Sequence, residues 1–170
     1  AWHPSDMLGI PRRLAERSQN ILKGYKLVKQ TLQRFFELKQ QAMGEELAKL
    51  LEAGFIREIK HPHWLANLVM VPKKDKPWRL CVDFKDLNKA CPKDPFPLPR
   101  IDQIIDATTG HDSPCFLDAY SGYHQIKMKE SDQAAPFITP YGPFCFNTMP
   151  FGLKNAGATY QRTLQKNTHP

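Results

Sequence analysis

The chain has 170 residues, of which 41% are apolar and 24% charged, a composition typical of a folded globular domain rather than a disordered segment. Its 24 lysines and arginines exceed its 17 acidic residues and give a net charge of +7, which favours a polyanionic partner. The sequence has no apolar run of 18 residues and no charged and apolar leader, so we expect neither a transmembrane helix nor a signal peptide.

The first predicted element after an irregular start is a helix. Residues 1–36 carry scattered basic residues without a period, and we interpret them as an N-terminal arm or linker. A helix is predicted over residues 37–53, because apolar residues recur there at helical spacing and Gly54 stands where helices commonly end. The apolar residues of this predicted helix are Met43, Leu47, Leu50 and Leu51.

A strand pair with a basic turn is predicted next. Residues 64–71 are apolar and residues 78–84 alternate between apolar and polar, while the segment between them is rich in lysine and proline. Four cations cluster at this turn, namely Lys73, Lys74, Lys76 and Arg79. Such a cluster is typical of phosphate binding; a solvated hairpin tip is an equally good interpretation.

The second half of the chain alternates short strands with helices. Residues 92–99 contain four prolines and predict a stiff extended connector. Further elements are predicted as a helix over 100–107, a strand over 115–117, a strand over 124–129, a hairpin of 137–139 with 144–146, and a helix over 155–165. These elements predict an α+β fold with a largely antiparallel sheet and packed helices.

Asp118 is the first candidate for chemistry. It follows the apolar run at 115–117 and precedes a turn that contains Gly122. A carboxylate held there suits Mg²⁺, which takes one or two carboxylates together with phosphate oxygens. Spacing alone favours a turn-capping aspartate instead. Aromatic residues interleave with the cations of the strand pair, namely Trp64, Trp78, Phe84, Tyr120 and Tyr123. They would stack on bases or sugars, but core packing is the more common use and is favoured for Trp78 and Phe84.

Three segments together resemble a known family. They are the run 51–57 (LEAGFIR) with 71–89 (VPKKD followed by WRLCVDFKDLNK), the run 116–126 (FLDAYSGYHQI), and the run 149–156 (MPFGLKNA). In this order they are similar to the fingers and the first two palm motifs of reverse transcriptases, in the manner of gypsy-type long-terminal-repeat retrotransposons. The resemblance covers roughly residues 40–165.

The resemblance implies a fold and a division of the chain. It implies the fingers and the first half of the palm of a right-hand polymerase. Residues 1–36 would be the arm, residues 37–113 a fingers-like region with the palm entry, and residues 114–170 a partial palm.

The resemblance also implies roles for individual residues. Asp118 would be the catalytic aspartate and would bind Mg²⁺ or Mn²⁺ together with the backbone carbonyl of Ala119. Tyr123 would lie under the incoming sugar and exclude a 2′-hydroxyl. The other nucleotide-binding residues would be Lys73, Arg79, Ser121, Gly122, Phe151 and Gly152. The template-binding residues would be Asp83, Lys85 and Asn88.

The implied activity is RNA-directed DNA polymerisation in a complete enzyme. Its partners would be an RNA or DNA template–primer, deoxynucleoside triphosphates and the remainder of a Pol polyprotein. No association with a membrane is expected. The location would be inside the cell, in a cytoplasmic virus-like particle or the nucleus. The Tyr-x-Asp-Asp motif that supplies two further carboxylates is absent. We therefore expect a truncated or decayed copy that does not polymerise DNA alone. Alternatives are an inactive nucleic-acid-binding remnant and an unrelated basic binding module.

Overall fold

In the computed structural model of the chain, the described residues are 7–26, 28–72, 78–113, 115, 118–130 and 135–168. They form the helices α1 (Glu37–Glu52), α2 (Lys85–Ala90), α3 (Ile101–Thr108) and α4 (Ala156–Thr168). The strands are β1 (Glu16–Arg17), β2 (Ile56–Glu58), β3 (Ala66–Val71), β4 (Arg79–Val82), β5 (Lys127–Met128), β6 (Phe137–Thr139) and β7 (Gly142–Phe146). A 3₁₀ helix spans Gly122–Gln125.

Five strands form one sheet in the order β2-β7-β6-β3-β4. The pairs β2–β7, β7–β6 and β3–β4 are antiparallel, while β3 and β6 run parallel. This arrangement confirms the predicted α+β class with a mainly antiparallel sheet. The remaining two strands, β1 and β5, form a separate parallel pair.

The core joins α1, the sheet, α2 and the start of α4. Met43 and Leu47 of α1 are buried, as are Phe137 of β6 and Leu87 of α2. Each large apolar side chain buried in this way contributes about 1.5–3 kcal/mol. Leu51 was predicted to share the buried face of α1, and this prediction is wrong because its side chain is 40% exposed. Eight residues after Met43, it is rotated by about 80° around the helix axis and lies at the fringe.

Two predicted strands are shorter in the structure. The strand predicted from residue 64 begins at Ala66, and the strand predicted to residue 84 ends at Val82. The second strand ends early because the carboxylate of Asp83 accepts the Lys85 backbone N–H at 3.0 Å and starts α2. This six-residue helix was not predicted, since it is too short to show a helical period.

The strand predicted over residues 124–129 is correct in its second half. The His124 N–H donates a hydrogen bond to the Ser121 carbonyl, and the Ile126 N–H donates one to the Tyr123 carbonyl. This stretch therefore begins as a 3₁₀ helix. From Ile126 onward the chain alternates buried and exposed residues, as a half-buried strand requires. The connector at 92–99 has no helix or strand, as predicted, and the closing helix α4 extends three residues further than expected.

The predicted hairpin is present and has a tighter turn than expected, because Gly142 and Pro143 belong to β7. The helix predicted over residues 100–107 is present as α3, and its isoleucines lie on one side, which is exposed. Their exposed fractions are 76% for Ile101, 45% for Ile104 and 57% for Ile105. The strand predicted over 115–117 lies largely outside the described residues.

The arm lies against the body of the protein. Arg17 is 7% exposed and donates hydrogen bonds to the Thr159 hydroxyl at 2.9 Å and the Lys154 carbonyl at 2.6 Å. Further along the arm, the Gln30 side chain accepts the Asn67 backbone N–H at 2.8 Å. The arm thus joins α4 and β3 through polar contacts. The proposed division at residues 36 and 113 remains a prediction.

Replacing Arg17 with alanine should lower the free energy of unfolding by about 2–3 kcal/mol, because two hydrogen bonds from a buried charged group are lost. Arg13→Ala makes the same charge change at an exposed position of the arm and should stay within about 0.5 kcal/mol of the parent. Urea denaturation followed by circular dichroism measures both values. Equal effects of the two variants would contradict this account of how the arm is held.

Candidate nucleotide-binding site

A cavity of about 430 Å³ brings together three of the predicted nucleotide-binding residues. Arg79 enters from β4, and Phe151 and Gly152 enter from the turn before α4. Glu46 and Leu50 of α1 form another wall. These residues are far apart in the sequence. The fold brings the three residues that were assigned by resemblance to the same cavity.

Tyr123 joins this site through aromatic contacts. Its ring centroid lies 4.9 Å from that of Phe151 and 5.4 Å from that of Tyr160, with the Tyr160 ring edge-on. The Phe151 side chain is 62% exposed. Tyr123 is therefore held from two sides, and its partner Phe151 faces solvent at the cavity.

The turn that carries Tyr123 is shaped by close contact with Tyr160. A Cβ atom added to Gly122 would lie 2.8 Å from the Tyr160 hydroxyl oxygen and 2.9 Å from its ring Cε2. Real side chains do not approach this closely, so a larger residue here would force the Tyr160 ring or the turn to shift. The preceding residue, Ser121, adopts a left-handed conformation with φ of 47°, which is uncommon outside glycine and asparagine. The sequence interpretation missed Tyr160, although it is the one aromatic among small and polar residues at the start of the predicted helix.

Asp118 and Ala119 provide adjacent oxygen donors at the start of this turn. Asp118 is exposed, and the Ala119 carbonyl accepts the Gly122 N–H at 3.2 Å. Burial raises the pKa of Tyr160, and the negative charge of Asp118 and the Tyr123 phenol add to this effect. Asp118 therefore lies close enough to Tyr160 to act on its hydroxyl electrostatically.

The donor set at 118–119 fits part of a divalent-cation site. A carboxylate and a carbonyl are the hard oxygen ligands that Mg²⁺ prefers, and this ion keeps several positions for water and phosphate oxygens. Within the described ranges, no group of three histidine, cysteine, aspartate or glutamate residues could hold a metal ion. In this conformation the Gly122 N–H is already donated within the turn.

Asn88, predicted to bind template, holds the turn that carries Phe151 and Gly152. Its side-chain amide donates to the Gly152 carbonyl at 2.8 Å, and its amide oxygen accepts the Lys154 backbone N–H at 2.6 Å. The predicted template residues Asp83 and Lys85 lie at the start of α2, with 4.0 Å between the Lys85 ammonium and the Asp83 carboxylate. The Lys85 side chain is 83% exposed. α2 thus connects the predicted template residues with the nucleotide turn.

His124 lines the same cavity and was not singled out from the sequence. Its ring stacks on Phe55 with centroids 4.6 Å apart and an interplanar angle of 8°. Its Nδ1 is hydrogen-bonded to the Thr148 hydroxyl at 3.1 Å. Burial lowers the pKa of His124 to about 4, so the ring is neutral near pH 7. The alternation that predicted a strand here gave no signal for an aromatic stack.

Lys73, Lys74 and Lys76 of the predicted basic finger lie outside the described residues, as do Phe116 and Leu117 before Asp118. Core packing was favoured for Trp78 and Phe84: Phe84 is buried at 2% exposed, and Trp78 is partly buried against the core. Trp64 is also buried, at 5% exposed.

The structure resembles solved reverse transcriptases. It superimposes on the foamy viral protease–reverse transcriptase in complex with an RNA/DNA hybrid with a TM-score of 0.69 and 17% identity, over 88% of this chain and 21% of that chain. For the Prototype Foamy Virus protease–reverse transcriptase, the TM-score is 0.74 at 18% identity, over 85% of this chain and 20% of that one. These matches confirm the predicted polymerase fold.

The sequence matches define the family. Residues 71–170 match the family model described as reverse transcriptase (RNA-dependent DNA polymerase). The Pol polyprotein of transposon opus from Drosophila melanogaster is 39% identical over 125 residues, which are 70% of this chain and 12% of that protein. The Tf2-3 polyprotein of Schizosaccharomyces pombe is 36% identical over 124 residues, 72% of this chain and 9% of that protein.

The chain therefore belongs to the reverse transcriptase family, and it resembles the reverse transcriptase segment of retrotransposon Pol polyproteins. It spans about a tenth of the length of those relatives. None of the helices in the described ranges has the length and apolar character needed to cross a membrane.

The contact between Gly122 and Tyr160 predicts opposite effects of two glycine substitutions. Gly122→Ala should lower the free energy of unfolding by about 1–3 kcal/mol, because the new methyl group overpacks the turn. Gly157→Ala in α4 would place a Cβ 3.6 Å from the Tyr123 hydroxyl oxygen, an ordinary contact, and should raise stability by up to about 1 kcal/mol. In the Tyr160→Leu background, Gly122→Ala should cost less. Additive effects in this denaturation cycle would contradict the contact.

Protonation of His124 predicts a pH dependence of stability. In the folded state the pKa of His124 is about 4, whereas a histidine in the unfolded chain has a pKa near 6.5. Stability is therefore lost as pH falls from about 6.5 to 4, by about 1–2 kcal/mol between pH 7 and pH 5. His124→Phe should keep the aromatic stack and lose this component in urea titrations. Exposed His111→Gln should retain it; the same pH profile in His124→Phe and the parent would refute the assignment.

Proposed function

We propose that this chain forms the nucleotide-binding part, and the first metal-binding position, of an RNA-directed DNA polymerase in a gypsy-type retrotransposon Pol polyprotein. The observation that carries the proposal is the convergence of Arg79, Phe151 and Gly152 on one cavity, with Tyr123 packed against Phe151. The family match supports the reaction class. Because the chain is a small part of its relatives, activity, substrates and partners belong to the complete protein.

The substrate would be a deoxynucleoside triphosphate paired with an RNA or DNA template. Arg79 is exposed at the cavity and can donate two parallel hydrogen bonds to phosphate oxygens. Lys73 and the backbone N–H groups of Ser121 and Gly122 are proposed as further phosphate donors. Since the Gly122 N–H is donated to Ala119, its use by a phosphate requires the turn to open.

Tyr123 would select the sugar by position alone. Its ring has little freedom because Phe151 and Tyr160 contact it from different sides. A rigid ring beneath the sugar leaves no room for a 2′-hydroxyl, whereas a mobile ring would yield to it. Asn88 would support this selection indirectly, since it fixes the turn that carries Phe151 and Gly152. Asp83 and Lys85 are proposed as template contacts at the start of α2.

Asp118 and the Ala119 carbonyl would hold a divalent cation, Mg²⁺ or Mn²⁺. When bound, the two metal ions of such polymerases neutralise phosphate charge and stabilise the attacking and leaving oxygens. The sequence has no Tyr-x-Asp-Asp motif, so we propose that the remaining carboxylates come from the rest of the Pol polyprotein. We propose an intracellular location, in a virus-like particle or the nucleus.

Primer extension by the polyprotein that carries this chain tests the proposal. With poly(rA)/oligo(dT), dTTP and Mg²⁺, the parent should extend the primer and Asp118→Asn should not. Asp112→Asn, an exposed acidic residue nearby, makes the same charge change and should retain extension. Undiminished extension by Asp118→Asn would refute the assignment. A parent that binds template–primer without extending it would favour the inactive remnant.

A further inference from the structure

Another cavity, which shares Phe146 with the proposed nucleotide cavity, is rich in cations. It has a volume of about 500 Å³ where β2, β5 and the arm meet. Four of its lining residues are cationic, namely Arg12, Arg57, Lys127 and Lys129, and Glu130 is acidic. The described lining of the nucleotide cavity has one cation, Arg79, and one acid, Glu46. Arg57 and Arg79 lie on β2 and β4, the opposite edge strands of the sheet.

The arm extends this positive surface into a neighbouring cavity of about 340 Å³. Arg12 lines both cavities, so the two share a wall. The second cavity adds Arg13, which is exposed, and Lys166 at the end of α4. We call Arg12, Arg13, Arg57, Lys127 and Lys129 the arm-side basic surface.

Within the described residues, Arg12 of this surface is ion-paired with Glu16 and, at 3.1 Å, with Glu130, whereas Arg57, Lys127 and Lys129 form no ion pair there. Lys127 in β5 and Lys129 directly after it are exposed, while Met128 between them is buried, so the two lysines project to the same side of this extended segment. Arg57 uses its Nε to donate to the Asn147 side chain at 3.1 Å. Like charges held side by side repel each other, and a bound polyanion would relieve this repulsion.

Hydrogen bonds fix the scaffold that carries these cations. The Lys129 N–H is donated to the Arg17 carbonyl at 2.8 Å, which extends the β1–β5 pair. The Met128 N–H is donated to the Asn147 carbonyl at 2.9 Å, and the Met128 carbonyl accepts a hydrogen bond from Arg12 at 3.0 Å. Because the backbone is already ordered, less conformational entropy would be lost when a ligand binds.

The lining chemistry identifies the class of polyanion. The aromatic residue of the cavity, Phe146, is 5% exposed and offers no ring on which a base could stack. The available groups are ammonium and guanidinium donors, which bind phosphates without reading bases. The spacing of Lys127 and Lys129 along a strand, about 6.6–6.8 Å, is comparable with the spacing of successive phosphates in an extended nucleic acid.

We propose that the arm-side basic surface binds the phosphate backbone of a nucleic-acid strand outside the nucleotide site, independently of base sequence. The proposal goes beyond the proposed function by adding a second contact surface, and it rests on that function for the choice of nucleic acid over other polyanions.

Fluorescence anisotropy with a labelled single-stranded oligonucleotide tests this on the 170-residue chain. Affinity is measured between about 50 and 200 mM salt, where phosphate contacts set the slope of log K against log salt. The double variant Lys127→Ala/Lys129→Ala should lower the magnitude of this slope by about 1.4, which corresponds to two lost contacts with a single strand. The loss should be the same for oligo(dT) and oligo(rA). Thermal melting should be unchanged, since both lysines are exposed.

The matched control is Lys23→Ala/Lys26→Ala, which removes two exposed lysines of the arm that line neither cavity. Its slope should equal that of the parent. Equal slopes for the two double variants would overturn the proposal. A loss of binding in Arg79→Ala without any loss in Lys127→Ala/Lys129→Ala would also overturn it and leave the proposed function standing. Displacement of the oligonucleotide by an equal charge concentration of polyglutamate would assign the surface to acidic peptides instead.

Discussion

The loop at residues 152–155 holds the segments of the site together. Asn88 binds it on both sides of Leu153 through the Gly152 carbonyl and the Lys154 N–H. The Lys154 ammonium donates a hydrogen bond to the Cys91 carbonyl at 2.7 Å. The Lys154 carbonyl accepts a hydrogen bond from the Arg17 guanidinium. Asn155 adds hydrogen bonds to the connector. The arm, α2, the connector and α4 therefore meet at four residues without sharing a sheet.

This construction links stability to function. The loop that holds four segments in place also begins with Gly152 of the proposed nucleotide cavity. Side-chain to backbone hydrogen bonds require a narrow range of distances and angles. A displacement of any one of these segments would therefore shift Phe151 and alter its packing against Tyr123. The arm is part of this arrangement because Arg17 reaches the same loop. Residues far from the cavity thus contribute to its shape.

Sequence patterns predicted the elements with strong periods and missed contacts made by single side chains. α1 follows from apolar spacing and the β6–β7 hairpin from its turn residues, and the structure confirms both. The predicted closing helix is also present as α4. α2 was missed because its six residues are too few to show a helical period. Tyr160 and His124 were missed because aromatic packing between distant segments leaves no periodic signal. Arg79, Phe151 and Gly152 were found through resemblance, and the fold supplied their common location.

The distribution of charged residues shows what the net charge of +7 cannot, namely where a polyanion could bind. A positive excess alone favours a polyanion without saying where it binds. The cavity at the arm and β5 is lined by four cations and one acid, whereas the proposed nucleotide cavity is lined by one of each, Arg79 and Glu46. Such a division suits two tasks. A cavity that positions one nucleotide gains from few, directed donors, while a surface that holds a strand gains from several charges with no base preference.

The turn at residues 118–123 joins the proposed metal and sugar positions in one structural unit. Asp118 and the Ala119 carbonyl begin it, Ser121 bends it in a left-handed conformation, and Tyr123 ends it. Tyr160 contacts the turn at Gly122 and at the Tyr123 ring, and its hydroxyl responds to the charge of Asp118. One side chain of α4 therefore contacts the backbone between the two positions. Any shift of α4 would move them together, so their relative geometry is set by the chain segment itself and by a single aromatic ring.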